Sequence, residues 1–207
     1  MQPAALALLA SALLAAPDDL PSPQLVELAQ ATVPPDLLER MLREMARGAA
    51  AEFAREAPSA SAGAVEAHVL ETLRRICPAD EVLPLAAGEL GRRLDPDEVR
   101  ALVEFRRSDL GQRQERFAAS VAQERARGQL DDASLDRRRR EAFSADEVRE
   151  LERFESSAAA RRYARAVPAV MGQVGAFLAG RVAREGSALQ GDLRNRFGGR
   201  AARPPGG

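Results

Sequence analysis

The sequence predicts an all-α protein of packed helical hairpins, with one unit duplicated in the C-terminal half. Three observations carry that expectation. Hydrophobic residues make up 45% of the chain, yet aromatics are only 4% and Trp is absent, a composition that favours helix-on-helix packing over a sheet of bulky β-formers. Apolar residues recur at three- and four-residue steps, the period of a single helix face. Finally, Leu94 to Gln123 aligns without a gap on Phe143 to Gly172 at an offset of 49 residues, agreeing at ten of thirty positions. Self-similarity at a fixed offset marks a repeated structural unit.

Residues 1–16 open the chain with the apolar run Ala4 to Ala16, ended by Pro17-Asp18-Asp19. This run is shorter than the ~20 residues a spanning helix needs, and it reads as a secretory signal peptide. The n-region has no Lys or Arg and Leu14 falls at the −3 position, so an apolar helix kept in the core is the competing reading. The mature chain is expected to hold no transmembrane segment. Residues 17–35 form a Pro-rich spacer and a short helix, Gln24 to Thr32, that Pro34-Pro35 must stop.

Residues 36–93 read as the N-terminal helices. Leu37, Leu38, Met41, Leu42 and Met45 give one stripe from Asp36 to about Arg55, opposite Glu39, Arg40, Arg43 and Arg47. Pro58 to Gly63 reads as a loop, and Val65, Val69, Leu73 and Ile76 mark the next helix, which Pro78 ends.

Residues 94–127 are repeat copy 1, residues 128–142 a charged connector, and residues 143–185 repeat copy 2. The matching residues are Asp97-Glu98-Val99-Arg100, Leu102, Phe105, Ser108, Arg113, Arg116 and Val121, answered by Asp146-Glu147-Val148-Arg149, Leu151, Phe154, Ser157, Arg162, Arg165 and Val170. Asp95-Pro96-Asp97-Glu98 and Ser144-Ala145-Asp146-Glu147 each supply an N-cap with Glu three residues later, the pattern of a capping box. The shared acids thus have a structural reason to exist, set against the alternative of paired catalytic carboxylates. Ser108 and Ser157 then fall where each would cap a second helix. Arg127-Gly128 breaks the first copy, Pro168 is expected to kink the second, and residues 186–207 read as a weak helix through Leu189, Leu193 and Phe197 with a disordered tail.

The repeated pattern resembles a family of secreted bacterial helical proteins, the domain of unknown function 2059. Leu94, Glu98, Val99, Leu102, Phe105, Ser108, Gly111 and Arg113 look like one motif copy. Phe143, Ser144, Glu147, Val148, Leu151, Phe154, Ser157, Arg162, Pro168, Val170 and Met171 look like another. Asp109 and Ala158 stand in place of the motif proline, Arg106 and Glu155 in place of its second aromatic, and Ala160 in place of its second-copy glycine. The resemblance implies a helical fold and an exported location, and it carries over no active site.

Chemistry-bearing residues are sparse. With a net charge of −1 there is no global field to draw in nucleic acid or an acidic membrane, and no nucleic-acid partner is expected. All thirty basic residues are Arg and they scatter along the whole chain, which reads as coding bias more simply than as thirty separate uses of the guanidinium fork. The lone Cys77 has no intrachain partner and is expected to be buried. The single His68, with Glu71 one turn on, lacks the further His and Cys residues of an ordinary metal site, so neither a metal nor a cofactor is expected.

The candidate anion-binding residues are Arg113 with Arg116 and Arg162 with Arg165. Each pair is three residues apart on one face, able either to clamp a carboxylate or phosphate or to form salt bridges to Glu98 or Glu147. Arg137, Arg138, Arg139 and Arg140 form a candidate surface-binding run, set against a solvated connector flanked by Asp136 and Glu141. The function expected from these residues is non-enzymatic: an exported binding or structural module of the bacterial envelope. Its partner would be an unknown envelope protein or polymer, with a homo-oligomer as a further possibility. The alternatives are a peripheral binder of anionic lipid or cell-wall polymer, and a carboxylate-dependent enzyme.

Overall fold

A computed structural model describes residues 21–58, 60–127 and 131–198. The expected signal peptide at 1–16 and the tail after Gly198 lie outside the described residues. Among the described residues the chain forms nine α-helices and no strand, so the fold is all-α.

The N-terminal half holds four helices, paired as α1 with α4 and α2 with α3, whose boundaries follow from proline and caps. Helix α1 (Pro23–Thr32) starts where the Ser22 hydroxyl accepts from the Leu25 amide, at 3.3 Å. Pro35 opens α2 (Pro35–Glu56) in its first turn, where a missing N–H costs nothing. Leu38, Leu42, Ala46, Ala50 and Phe53 of α2 are buried, as are Val65, Val69 and Leu73 of α3 (Ala62–Ile76). The Glu39–Arg74 and Arg47–Glu66 ion pairs register the two helices as an antiparallel hairpin. Pro78 ends that hairpin, and α4 (Ala79–Gly91) follows, packing against α1.

Copy 1 supplies α5 (Pro96–Arg107) and α6 (Asp109–Ala126); copy 2 supplies α8 (Ala145–Glu155) and α9 (Ala158–Phe197). Both capping boxes form: Glu98 accepts from the Asp95 amide at 3.0 Å, and Glu147 from the Ser144 amide at 2.8 Å. Ser108 and Ser157 cap the second helices, accepting from the amides of Gly111 and Ala160, each at 3.1 Å.

The copies then pack crosswise. Leu94, Val99 and Leu102 around α5 join Ala159 and Ala166 of α9 in the main core, together with α1 to α4. In a second, smaller cluster, Phe143 and Leu151 of copy 2 join Leu110 of α6, with Phe105, Phe117 and Val148 at its margin. Where α6 carries Leu110 and Phe117, α9 carries alanine at the equivalent positions 159 and 166. These small side chains permit the close approach of α5 to α9. A partly buried hydroxyl chain further ties α9 to α1, with Thr32 Oγ1 2.7 Å from the Leu28 carbonyl and 2.8 Å from the Tyr163 hydroxyl.

Two sequence boundaries need correction. The charged connector at 128–142 contains a helix, α7 (Asp132–Ala142), started by Asp131, whose carboxylate accepts from the Ser134 amide at 2.7 Å. Its arginines also reach carboxylates on α6 and α8, which holds a helix with almost no apolar face. The second boundary, at 185/186, is not a break, because α9 runs unbroken for 40 residues through Pro168, Gly186 and Gly191. Pro168 and Ala164 are both exposed, so the carbonyl that loses its amide partner is open to water. Each interior Gly costs about 1 kcal/mol of helix propensity, and the packing of Leu193, 3% exposed, in the core offsets that cost. By length and composition α9 could cross a bilayer, yet its Val170, Val174 and Leu178 are core residues of the bundle.

Candidate functional site

The capping glutamates position the first pair of candidate arginines. While one oxygen of Glu147 holds the Ser144 amide, the other accepts from Arg113 of α6. The Arg113 guanidinium, then the Ser144 amide, hold the Glu147 carboxyl down at about 2. The residues 49 positions earlier make the matching pair with the copies exchanged, except that one oxygen of Glu98 takes both contacts. Arg162 of α9 donates to Glu98 at 3.1 Å and to Asp95 at 2.8 Å, while Glu98 holds the Asp95 amide. Each capping glutamate therefore starts its own helix and binds the arginine of the other copy.

Arg116 and Arg165, the second members of the expected clamps, are exposed and have no hydrogen-bond or ion-pair partner among the described residues. The structure thus separates each pair: one arginine faces a carboxylate and its neighbour three residues on faces solvent. The connector run divides in the same way. Arg138 pairs with Glu124 and Arg139 with Glu155 at 3.3 Å. Arg137 donates to the Ser134 hydroxyl at 3.2 Å, and Arg140 is exposed.

His68 turns away from Glu71 to the end of α9. Its Nε2 lies 2.5 Å from Asp192 Oδ2, its Nδ1 lies 3.3 Å from Arg196, and its ring meets Phe197 edge-on at 5.8 Å. Cys77 is buried, and that burial pushes its thiol above the ordinary range despite the opposing charge of Arg181. Burial alone would raise the Glu89 carboxyl, but hydrogen bonds from Arg92 and Arg93 hold it below its usual value. Among the described residues no group of three or more His, Cys, Asp and Glu side chains is placed to hold a metal ion.

One basic feature is not shared between the copies. An open concavity at the start of α9 is lined by Ala158, Arg161, Arg162, Ala164 and Arg165. Arg161 is Gln112 in copy 1, so looking for identities between the copies passes over it. The signal lay in the differences.

No protein-family model, curated protein or solved structure matches the chain.

Proposed function

We propose that this chain is a non-enzymatic, exported helical protein that serves as a binding or structural module of the bacterial envelope. The observation that carries the reading is the reciprocal pairing of Arg113 with Glu147 and of Arg162 with Glu98. Of the polar residues that recur in both copies, Glu98, Glu147, Arg113 and Arg162 are engaged in holding helices together, which is scaffold chemistry. Binding capacity then rests with side chains left facing solvent, chiefly the arginines of α9. Export is supported by the apolar run Ala4 to Ala16 and by the resemblance to secreted helical proteins.

Fractionating a bacterial host that expresses the full chain, followed by mass spectrometry of its N-terminus, tests export. The expected product lies in the periplasmic or secreted fraction and lacks residues 1–16. A chain with Met1 intact and confined to the cytoplasm overturns the exported role.

A further inference from the structure

The two copies share a backbone plan but differ in charge at one matched place. Over the first two turns of α6, copy 1 presents Asp109, Gln112, Glu115 and Arg116. At the equivalent turns of α9, copy 2 presents Ala158, Arg161, Ala164 and Arg165, so the net charge of these four positions moves from −1 to +2. In copy 1 Glu115 lies 2.6 Å from Arg106, and among these four positions Arg116 stands with two carboxylates rather than with a second arginine. In copy 2 both carboxylates are replaced by alanine, and the partner position of Arg106 is itself an acid, Glu155, taken up by Arg139.

Arg161 and Arg165 are left exposed beside the concavity, with no hydrogen-bond or ion-pair partner for either side chain among the described residues. Like charges four residues apart on a helix repel, and Arg161, in the first turn of α9, also opposes the helix dipole. Arg162, between them in sequence, is turned to Asp95 and Glu98 and relieves neither. These positions are unfavourable for the isolated chain, and an anion seated between the two guanidinium groups would remove both penalties. A carboxylate can also accept from two arginines, as Glu89 does from Arg92 and Arg93, but a phosphate group brings more acceptor oxygens and more negative charge to two guanidinium forks.

We propose that Arg161 and Arg165, over the ledge formed by Ala158 and Ala164, are a binding site for a phosphate group, carried either by a free anion or by a lipid headgroup. The site deepens the binding role proposed above and rests on that role, but not on export. Failure of phosphate binding would remove the site and leave the N-terminal processing result standing, and the reverse also holds.

The test has two arms on the full chain. In the first, inorganic phosphate is titrated while the arginine Nε–H signals are followed by NMR; saturable shifts are expected at Arg161 and Arg165 and not at Arg116. In the second, co-sedimentation compares phosphatidylglycerol vesicles with phosphatidylcholine vesicles. Saturation in the first arm assigns the site to free phosphate, and retention by phosphatidylglycerol alone assigns it to a headgroup. The variant Arg161→Gln with Arg165→Gln is expected to weaken whichever binding is seen by tenfold or more. So is the graft of copy 1 residues, Ala158→Asp, Arg161→Gln and Ala164→Glu. All of these positions are exposed, and an unchanged circular dichroism melt would show that the fold is kept. Absence of binding in both arms, or binding that survives both variants, overturns the proposal.

Discussion

Phe105 stacks on Phe154 with ring centroids 3.6 Å apart and planes 10° from parallel. The two residues occupy the same place in the two repeat copies, so the stack joins a position to its own equivalent. The Arg113–Glu147 and Arg162–Glu98 pairs join the same two segments with their roles exchanged. At these three contacts residue i meets j while j meets i, the pairing pattern also seen at twofold interfaces between subunits.

The stack should contribute beyond simple burial. Truncating Phe105 and Phe154 to Ala singly and together, with stability read from urea unfolding, is expected to give a coupling of about 0.5–1.5 kcal/mol. Strict additivity would mean that the rings are only neighbours.

Leu151 is fully buried, but in the small cluster with Leu110 and Phe143 rather than in the main core. Leu151→Ala is expected to cost about 2–5 kcal/mol and to act locally. Hydrogen exchange should speed up in α7 and α8 while the α2–α3 hairpin keeps its protection.

Ser157 starts the 40-residue helix α9. Ser157→Ala should destabilise the fold by about 1 kcal/mol, and Ser157→Gly by only a few tenths. Equal losses in thermal melts would show that the hydroxyl bond to the Ala160 amide is not what matters.

Acid should leave the Glu147 pair intact longer than other carboxylates. Its folded value, about 2, lies below its ordinary value of 4.5, so the ionised form favours the folded state. That contribution is fully present above about pH 4.5 and is lost as pH falls towards 2. A carbon-detected NMR titration should place the Glu147 midpoint near 2, and in an Arg113→Gln variant the midpoint should rise. A midpoint that ignores Arg113 would remove the pair from the account.

Much of the fold was legible in local chemistry. The capping boxes at Asp95 and Ser144, the caps at Ser108 and Ser157, and the proline boundaries each depend on residues within one turn. What escaped depends on partners far away in sequence. Helix α7 is held by ion pairs to Glu124 and Glu155, and α9 passes Gly186 because Leu193 packs in the core. His68 showed only Glu71 nearby in sequence, whereas its partner Asp192 lies 124 positions away. For the candidate arginines, carboxylate partners at Glu98 and Glu147 were readable from the repeat. That each glutamate serves the opposite copy was not, since a local pattern cannot tell crossed from direct pairing.

The repeated arginines and glutamates join the two segments to each other. A double-mutant cycle with Arg113→Gln and Glu147→Gln tests it most directly, because Gln at 147 can still cap its helix. The account predicts that Glu147→Gln destabilises the chain when Arg113 is present, has little effect when it is absent, and that the difference shrinks in high salt. Equal effects of Glu147→Gln in both backgrounds would contradict it.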